Sequence, residues 1–323
     1  MRIGLALPHY DFSVPGPGPL TFEALGDHAR RAEQLGYDSL WVSDHLALSI
    51  EKYGGGAGMH FAYEPLTTLA ALSRLVSAPR LGTLVLNWGL RPPAVAAKTL
   101  ATLDRICGGR LDVGVGAGWY PPDFEAVGRR MPSPAERLAG LEELIGVLAD
   151  LLGGGAGKEV NQPPALQSPR PRIIVGGKGD RVLRLAGRRA DGWNTAWVWT
   201  PDDWVERAGV VEAACTAAGR DPRALWRSVG LYALTGEDEG DLARRYRRMQ
   251  DWAPNRMLAG VSLDQWRAGR LVGTITEVGA QASRWAELGV DELIVCPGPL
   301  PFSVGCSDDV GALAAALGLR GTL

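Results

Sequence analysis

The sequence offers little that points to disulfides, metals or nucleic acid. Its 323 residues include four cysteines and no C-x-x-C pair, so we expect reduced thiols and neither a disulfide framework nor a zinc site. The four histidines form no H-x-H or H-E-x-x-H pattern, so no catalytic metal site is predicted. A formal net charge of -2 gives no electrostatic reason to expect nucleic acid or an anionic membrane as a partner.

Long apolar runs and targeting signals are missing as well. The N-terminal sequence MRIGLALPHY is typical of a strand and lacks the longer apolar region and cleavage site of a signal peptide. No apolar run approaches the roughly 20 residues of a membrane span. With 46% apolar residues, a chain of this size can form a core without cross-links. These features predict a cytoplasmic protein that acts on a small molecule.

Short apolar runs alternate with runs of helical periodicity along the chain. The apolar runs are bordered by Gly or Pro, which is typical of strands buried in a parallel sheet. Eight strands are predicted, at residues 2–7, 37–42, 81–86, 110–115, 172–175, 192–197, 228–234 and 291–296. Helices are predicted at residues 22–35, 64–76, 93–106, 134–152, 180–190, 201–218, 239–252, 276–288 and 309–317, and capping boxes start at Ser133 and Thr274.

Eight strands, each followed by a helix, predict that residues 1–323 form one α/β domain, a (β/α)8 TIM barrel. Because there are nine helical runs for eight units, residues 252–272 are interpreted as an insertion. A doubly wound open sheet also alternates strand and helix, so the alternation alone leaves that architecture open. Gly- and Pro-rich stretches at residues 14–19, 53–58 and 153–171 are interpreted as loops at the barrel mouth rather than linkers.

Polar residues follow several predicted strands, where a barrel places its functional groups. Asp44 and His45 end the second strand, and a neighbouring carboxylate can fix the tautomer of an imidazole for proton transfer. His45 is therefore the candidate acid or base, whereas His9, after the first strand, has less support. A lone histidine at a strand end is more often structural, so a structural role is the alternative for both.

A glycine-rich segment, Gly176-Gly177-Lys178-Gly179, stands between a predicted strand and a predicted helix. Backbone N–H groups and a helix N-terminus at this point can bind an anion, to which Lys178 adds a charge. A plain turn between strand and helix is the alternative.

A second glycine-rich segment, GVGAG at residues 114–118, superficially resembles a dinucleotide fingerprint. Its spacing is G-x-G-x-G, and we expect Pro121-Pro122 to prevent the helix start that the fingerprint needs. A Rossmann domain is therefore not predicted.

Tryptophan is frequent, with eleven copies. Six of them lie in or just after predicted strands: Trp41, Trp88, Trp119, Trp193, Trp197 and Trp199. Core packing is the default explanation for each. At the barrel mouth, several would also form a flat apolar wall for a planar ring.

Residues 32–45, AEQLGYDSLWVSDH, resemble the first helix and second strand of the luciferase-like superfamily. The resemblance continues through EPLTTLA (64–70), RLGTLVL (80–86), GGRL (108–111), GVGAGW (114–119), GG (176–177) and ADGWN (190–194). It covers residues 1 to about 200 and resumes at 273–295. Within the superfamily, the pattern is most similar to the branch that uses the deazaflavin coenzyme F420.

The resemblance implies a hydride carrier at the C-terminal mouth of the barrel, with its phosphate on Gly176-Gly177-Lys178-Gly179. It further implies a bulge with a non-proline cis peptide at Leu84-Val85 behind the ring. The other residues that it places beside the cofactor are Asn87, Gly118 and Trp119. The residues assigned to the substrate pocket are His9, Tyr120 and Trp197.

The resemblance also implies that His45, paired with Asp44, accepts a hydroxyl proton near the reacting carbon. Related sugar-phosphate dehydrogenases carry a glutamate where this chain has Trp119, which indicates a more apolar substrate here. The leading hypothesis is an F420-dependent oxidoreductase, and a homodimer is expected from the family. The alternatives are a monooxygenase that uses reduced FMN and oxygen, and a flavin-binding barrel without enzymatic activity.

Overall fold

The computed structural model describes residues 1–16, 18–154 and 161–321. Its strands, β1 to β12 in chain order, are Arg2–Ala6, Ser39–Val42, Ala47–Leu48, His60–Phe61, Arg80–Thr83, Leu86–Asn87, Leu111–Gly116, Arg172–Gly176, Gly192–Trp197, Trp226–Gly236, Leu271–Thr274 and Glu292–Cys296. Its helices, α1 to α11, are Phe22–Leu35, Pro65–Leu72, Pro93–Ile106, Pro121–Ala126, Pro134–Leu152, Asp180–Arg189, Pro201–Ala217, Glu239–Trp252, Leu263–Arg267, Ile275–Glu287 and Ser307–Ala316. Residue 17, in the predicted loop 14–19, and residues 155–160, in the predicted loop 153–171, lie outside the described residues.

Eight parallel strands close into a barrel in the order β1-β2-β5-β7-β8-β9-β10-β12, because β12 pairs with both β10 and β1. This closure confirms the predicted TIM barrel and excludes the open sheet. The eight predicted strands are all present, and the third ends early, at Thr83, because its pairing is interrupted before β6. Along the strands, successive side chains point alternately outward to the helices and inward to the barrel interior. Leu5 and Leu40 pack in the outer cluster, and Ala6 and Trp41 pack in the inner one.

The helices begin where their capping residues predict. The side chain of Ser133 accepts a hydrogen bond from the Glu136 N–H and the Glu136 carboxylate accepts one from the Ser133 N–H. Thr274 and Glu277 form the same reciprocal pair at α10, so both predicted capping boxes are confirmed.

The expectation that Pro121-Pro122 prevents a helix start is wrong, because α4 begins at Pro121. Proline has no N–H and a fixed φ, and the first helical position needs no N–H donor, so proline is well suited to it. The Rossmann fold remains excluded by the closed barrel.

Residues 252–272 contain the short turn Pro254–Arg256, the helix α9 and the beginning of β11, which pairs in parallel with the C-terminal half of β10. The interpretation of this segment as an insertion stays a prediction. No helix among the described residues is both long and apolar enough to cross a membrane. The cytoplasmic location and the homodimer also stay predictions.

Aspartates tie the N-terminal ends of neighbouring barrel strands together. Asp38, just before β2, accepts a hydrogen bond from the Ile3 N–H of β1 at 2.8 Å. Asp191, before β9, does the same for the Ile173 N–H at 2.8 Å, and Asp291, before β12, for the Arg227 N–H at 2.7 Å. These bonds satisfy backbone donors that the parallel ladder leaves open at this face.

Glu292 lies inside the barrel and is 1% exposed. Its carboxylate accepts hydrogen bonds from the Ser39 hydroxyl and, at 3.4 Å, from Trp41 Nε1. Gly4 leaves room for this cluster, because a Cβ there would meet the Ser39, Trp41 and Glu292 side chains. Burial raises the pKa of Glu292 to about 7, and the charge of Asp112 adds to the effect.

Glu292→Gln should therefore stabilise the fold at alkaline pH. The folded chain holds the Glu292 proton more tightly than the unfolded chain, in which the pKa of this carboxyl is near 4.5. The free energy of unfolding therefore decreases as the pH rises from 4.5 to about 7, and it stays at the lower value at higher pH. We expect the variant to gain about 1–3 kcal/mol at pH 8 and much less at pH 5, measured by urea unfolding. Glu143→Gln, on the exposed face of α5, is the control, and a gain that is equal at both pH values would contradict this assignment.

Candidate active site

A cavity of about 890 Å³ opens at the C-terminal ends of the barrel strands, within the size range of small-molecule sites. Most of the residues predicted for the site line it, namely Asp44, His45, Leu84, Val85, Asn87, Gly118, Trp119, Gly176, Gly177, Lys178 and Trp197. Three predicted residues do not: His9, Tyr120 and Gly179. The structure therefore brings the predicted residues of five different strand ends to one place, while their individual roles stay predictions.

Behind the cavity, the third barrel strand is interrupted by a cis peptide between Leu84 and Val85, as the family resemblance implies. The Val85 side chain occupies space that side chains on two neighbouring strands would otherwise fill. A Cβ on Gly116 would lie 2.5 Å from Val85 Cγ2, and one on Gly176 would lie 2.6 Å from Val85 Cγ1. A Cβ on Gly114 would meet the Thr83 carbonyl oxygen. The glycine spacing in β7 is thus explained by packing against this bulge.

Asp44 does not orient His45, and that part of the sequence prediction is wrong. The Asp44 carboxylate accepts two hydrogen bonds from Arg91, at 2.7 and 2.9 Å, and one from the Asn87 N–H at 2.9 Å. Successive side chains of an extended backbone point to opposite sides, so Asp44 and His45 face different neighbours. Through its bond from the Asn87 N–H, Asp44 fixes the backbone just after the bulge.

His45 is oriented by Asp123 instead. Its Nδ1–H donates to Asp123 Oδ2 at 2.7 Å, and Asp123 Oδ1 accepts the Leu46 N–H at 3.1 Å. Asp123 is 1% exposed, in the first turn of α4, and the Trp119 and Tyr120 rings pack edge-on against the imidazole. His45 Nε2 has no partner in the part of the chain that the structure describes. This arrangement suits a proton carrier whose Nε2 serves the cavity.

Sequence reasoning missed Asp123 because the two prolines before it were taken to exclude a helix. Pro-Pro-Asp after a barrel strand is a usable signal, since proline favours the first helical position and a carboxylate favours the first turn. At α4, Pro121 takes the first helical position and Asp123 lies in the first turn.

His9 lies beneath the cavity rather than on its wall. Its Nδ1–H donates to the Leu7 carbonyl at 3.2 Å, and its Nε2 accepts the Ser43 N–H at 3.2 Å. The Ser43 hydroxyl lies 3.0 Å from Nε2 and 2.5 Å from the Tyr10 hydroxyl. Burial lowers the pKa of His9 to about 4, so the ring is neutral. His9 thus supports Ser43 and Tyr10, which do line the cavity.

The rim of the cavity is formed partly by Trp119, which is 45% exposed. Lys52 Nζ lies 3.0 Å from the centroid of the Trp119 ring. Burial, together with the nearby charge of Lys178, lowers the pKa of Lys52 to about 8. Tyr120 stands behind this pair, and its hydroxyl accepts the Ser49 N–H at 2.9 Å and donates to Met59 Sδ at 3.5 Å.

The glycine-rich segment after β8 is only partly open to an anion. The Gly177 N–H donates to the Asn194 carbonyl at 3.0 Å, and the Gly177 carbonyl accepts Trp193 Nε1 at 2.8 Å. Gly179 is the exposed N-cap of α6, so the helix N-terminus and Lys178 are the groups that an anion can reach. Phosphate binding by this segment stays a prediction.

An aromatic wall closes the other side of the cavity. The Trp197 ring lies 5.2 Å from Phe302 and 5.9 Å from Tyr232, measured between centroids, and the Ala196-Trp197 peptide is cis. Trp266, from α9, lines the same side. Among the described residues there is no cluster of His, Cys, Asp and Glu that would hold a metal ion.

Comparison with known proteins identifies the family. The sequence profile described as luciferase-like monooxygenase matches residues 1–292. The chain belongs to this family. Among curated relatives, a phthiodiolone/phenolphthiodiolone dimycocerosates ketoreductase from Mycobacterium sp. (strain JLS) is 31% identical over 242 residues, and the match covers 66% of this chain and 62% of the relative. The chain therefore matches less than two thirds of the length of that ketoreductase.

Solved structures of similar shape include a monooxygenase and a dehydrogenase. A monooxygenase from Streptomyces bottropensis has a TM-score of 0.73 at 23% identity and covers 97% of this chain and 96% of its own. An F420-dependent secondary alcohol dehydrogenase, in complex with an F420-acetone adduct, has a TM-score of 0.73 at 18% identity, with 99% and 98% covered. At these identities the likeness shows the fold.

Gly116→Ala tests the packing of the bulge. The new Cβ would lie 2.5 Å from Val85 Cγ2, and overpacking of this kind costs about 1–3 kcal/mol, so we expect that loss in urea unfolding. Gly209→Ala is the control, because a Cβ at this exposed position of α7 meets nothing within 4 Å. At Gly209 the substitution should leave the free energy of unfolding unchanged or raise it by up to about 1 kcal/mol. Equal effects at the two positions would contradict the packing role of Gly116.

Asp123→Asn tests the orientation of His45. With the carboxylate, neutral His45 should carry its proton on Nδ1, because Asp123 only accepts. The amide can donate as well as accept, so the variant should shift the population toward the Nε2–H form, measured by NMR of ¹⁵N-labelled histidine. Asp202→Asn, in the exposed first turn of α7, should leave the His45 signals unchanged. Unchanged His45 signals in Asp123→Asn would disprove the assignment.

Proposed function

We propose that this luciferase-like protein is an F420-dependent oxidoreductase that transfers a hydride between the deazaflavin and the carbonyl or carbinol carbon of a small organic substrate. The observation that carries the proposal is the His45–Asp123 pair at the cavity. A carboxylate-oriented imidazole is what the proton half of such a reaction requires. The bulge at Leu84-Val85 lines the same cavity.

The residues fit a deazaflavin or flavin. Val85, Gly116 and Gly176 together line one part of the cavity wall with small apolar groups, which suits a flat ring. Asn87 lines the cavity and offers an amide to the ring edge, and Lys178 with the N-terminus of α6 offers an anion site. When bound, the cofactor would supply or accept the hydride.

The named relatives support carbonyl chemistry. The mycobacterial relative is named a ketoreductase, and one protein of similar shape is an F420-dependent secondary alcohol dehydrogenase. Both names concern the interconversion of a ketone and an alcohol. Trp119 at the rim and the aromatic wall around Trp197 support a substrate with an apolar body.

The side chains divide the work as follows. In the reducing direction the carbonyl oxygen would receive a proton from His45 Nε2, while Asp123 stabilises the imidazolium through Nδ1. In the oxidising direction the neutral Nε2 would accept the hydroxyl proton. Tyr10 and Ser43 would add hydroxyl groups to the floor of the cavity, and Trp119 with Lys52 would limit access of water at the rim.

The alternative is a monooxygenase that uses reduced FMN and molecular oxygen. The description of the family and the similar shape of the Streptomyces monooxygenase support it. The same cavity and anion site would accept FMN, so cofactor choice is the property to measure. A flavin-binding barrel without activity is less well supported, because such a protein has no use for the oriented His45.

Equilibrium binding of oxidised F420 and of FMN, followed by absorbance, separates these functions. We expect micromolar or tighter binding of F420 and at least about tenfold weaker binding of FMN. Reduced F420 should then be oxidised by ketones without oxygen. His45→Ala should lower turnover by about 10²- to 10⁴-fold with little change in F420 affinity, whereas His28→Ala, in α1 and outside the cavity, should change neither. Tight FMN binding without F420 binding would overturn the proposal.

A further inference from the structure

Arg270 lines the cavity from the segment between α9 and β11. Its Cζ is 5.6 Å from the centroid of the Tyr232 ring and 5.4 Å from that of the Trp266 ring. The side chain is partly buried and lines the cavity. Sequence analysis did not single out this residue, because it follows no predicted barrel strand.

The Arg270 guanidinium has few hydrogen-bond partners for a charge that is partly removed from water. Nη1 donates to the carbonyl oxygens of Trp266 and Ala268, at 2.9 and 3.0 Å. Nε is buried and makes no hydrogen bond, and no carboxylate of the described residues lies within 4 Å of the group. Arg270 is thus a cation on a cavity wall without a protein counter-ion.

Two other partly buried arginines of this chain have carboxylate partners. Arg80 pairs with Asp112 at 2.6 Å, and Arg91 pairs with Asp44 at 2.7 Å. These carboxylates raise the pKa of both arginines, whereas burial lowers the pKa of Arg270. An uncompensated buried charge is costly, and groups perturbed in this way cluster at functional sites.

Arg270 is separate from the cations near the predicted phosphate position. Lys52 and Lys178 are close enough for Lys178 to lower the pKa of Lys52. Arg137 lines the cavity as well. Arg270 is the cation at the aromatic wall, beside the Tyr232 ring.

We propose that Arg270 binds a carboxylate of the substrate, whose apolar body packs against Tyr232, Trp266 and Trp197. Nη1 already donates to two carbonyls and Nε is buried, so Nη2 is the group that can donate a charge-assisted hydrogen bond to a carboxylate. A carboxylate is proposed rather than a phosphate, because one guanidinium matches one negative charge. The proposal rests on the proposed function only in calling the ligand the substrate, which would then be a keto or hydroxy acid with an apolar body.

The test is calorimetric titration of the cofactor-free protein with 3-phenylpropionate and with 3-phenylpropanamide, which differ in charge and share their shape. We expect the acid to bind at least about tenfold more tightly than the amide. Arg270→Gln should remove this preference, and Arg223→Gln, on an exposed turn, should retain it. Millimolar or absent binding of the acid, or a preference that survives Arg270→Gln, would overturn the proposal.

Two further comparisons make the titration interpretable. If Arg270→Gln does not fold, the comparison of acid and amide in the unaltered protein still decides whether the cavity selects an anion. Tighter binding of 2-phenylethyl phosphate than of the acid would overturn the choice of carboxylate. Because the titration needs no cofactor, its outcome is independent of whether F420 or FMN binds, so failure of the proposed function is seen separately.

Discussion

The packing of Val85 against glycines of two neighbouring strands is the constraint on which the mouth of this barrel depends. The third barrel strand is interrupted there, and the chain re-enters the sheet at Leu86–Asn87, where the Asn87 N–H donates to Asp44. The Asp44 carboxylate also accepts two hydrogen bonds from Arg91. His45 is oriented by Asp123 instead. The two neighbouring residues just after β2 thus serve different parts of the mouth.

Periodicity and turn chemistry predicted the strands and helices, since a buried parallel strand and an amphipathic helix each leave a repeat in the sequence. They left an open sheet as the alternative, and the family resemblance favoured the barrel. The family resemblance placed the cis peptide at Leu84-Val85 correctly. Asp123 was not predicted, because side-chain direction beyond a strand end follows tertiary contacts rather than a repeat. Arg270 was missed because its desolvation depends on Trp266 and Tyr232, which only the fold brings together.

The charge of the cavity differs from that of the whole chain. The formal net charge is -2, yet Lys52, Arg137, Lys178 and Arg270 line the cavity. The carboxylate of Asp44, which also lines it, pairs with Arg91. His9 adds no charge because it is buried and neutral. Within low-dielectric walls such a cation surplus attracts anions much more strongly than the same charges would on an open surface. Composition alone therefore says little about which ligands this site prefers.

The pairing of β1 with β12 also has a consequence for synthesis of the chain. Strand β1 is made first, yet one of its two ladders is completed by residues 292–296. Until those residues leave the ribosome, β1 can pair only with β2, and half of its ladder groups must remain with water or a chaperone. A nascent chain of this protein cannot close its barrel before residues 292–296 have been translated.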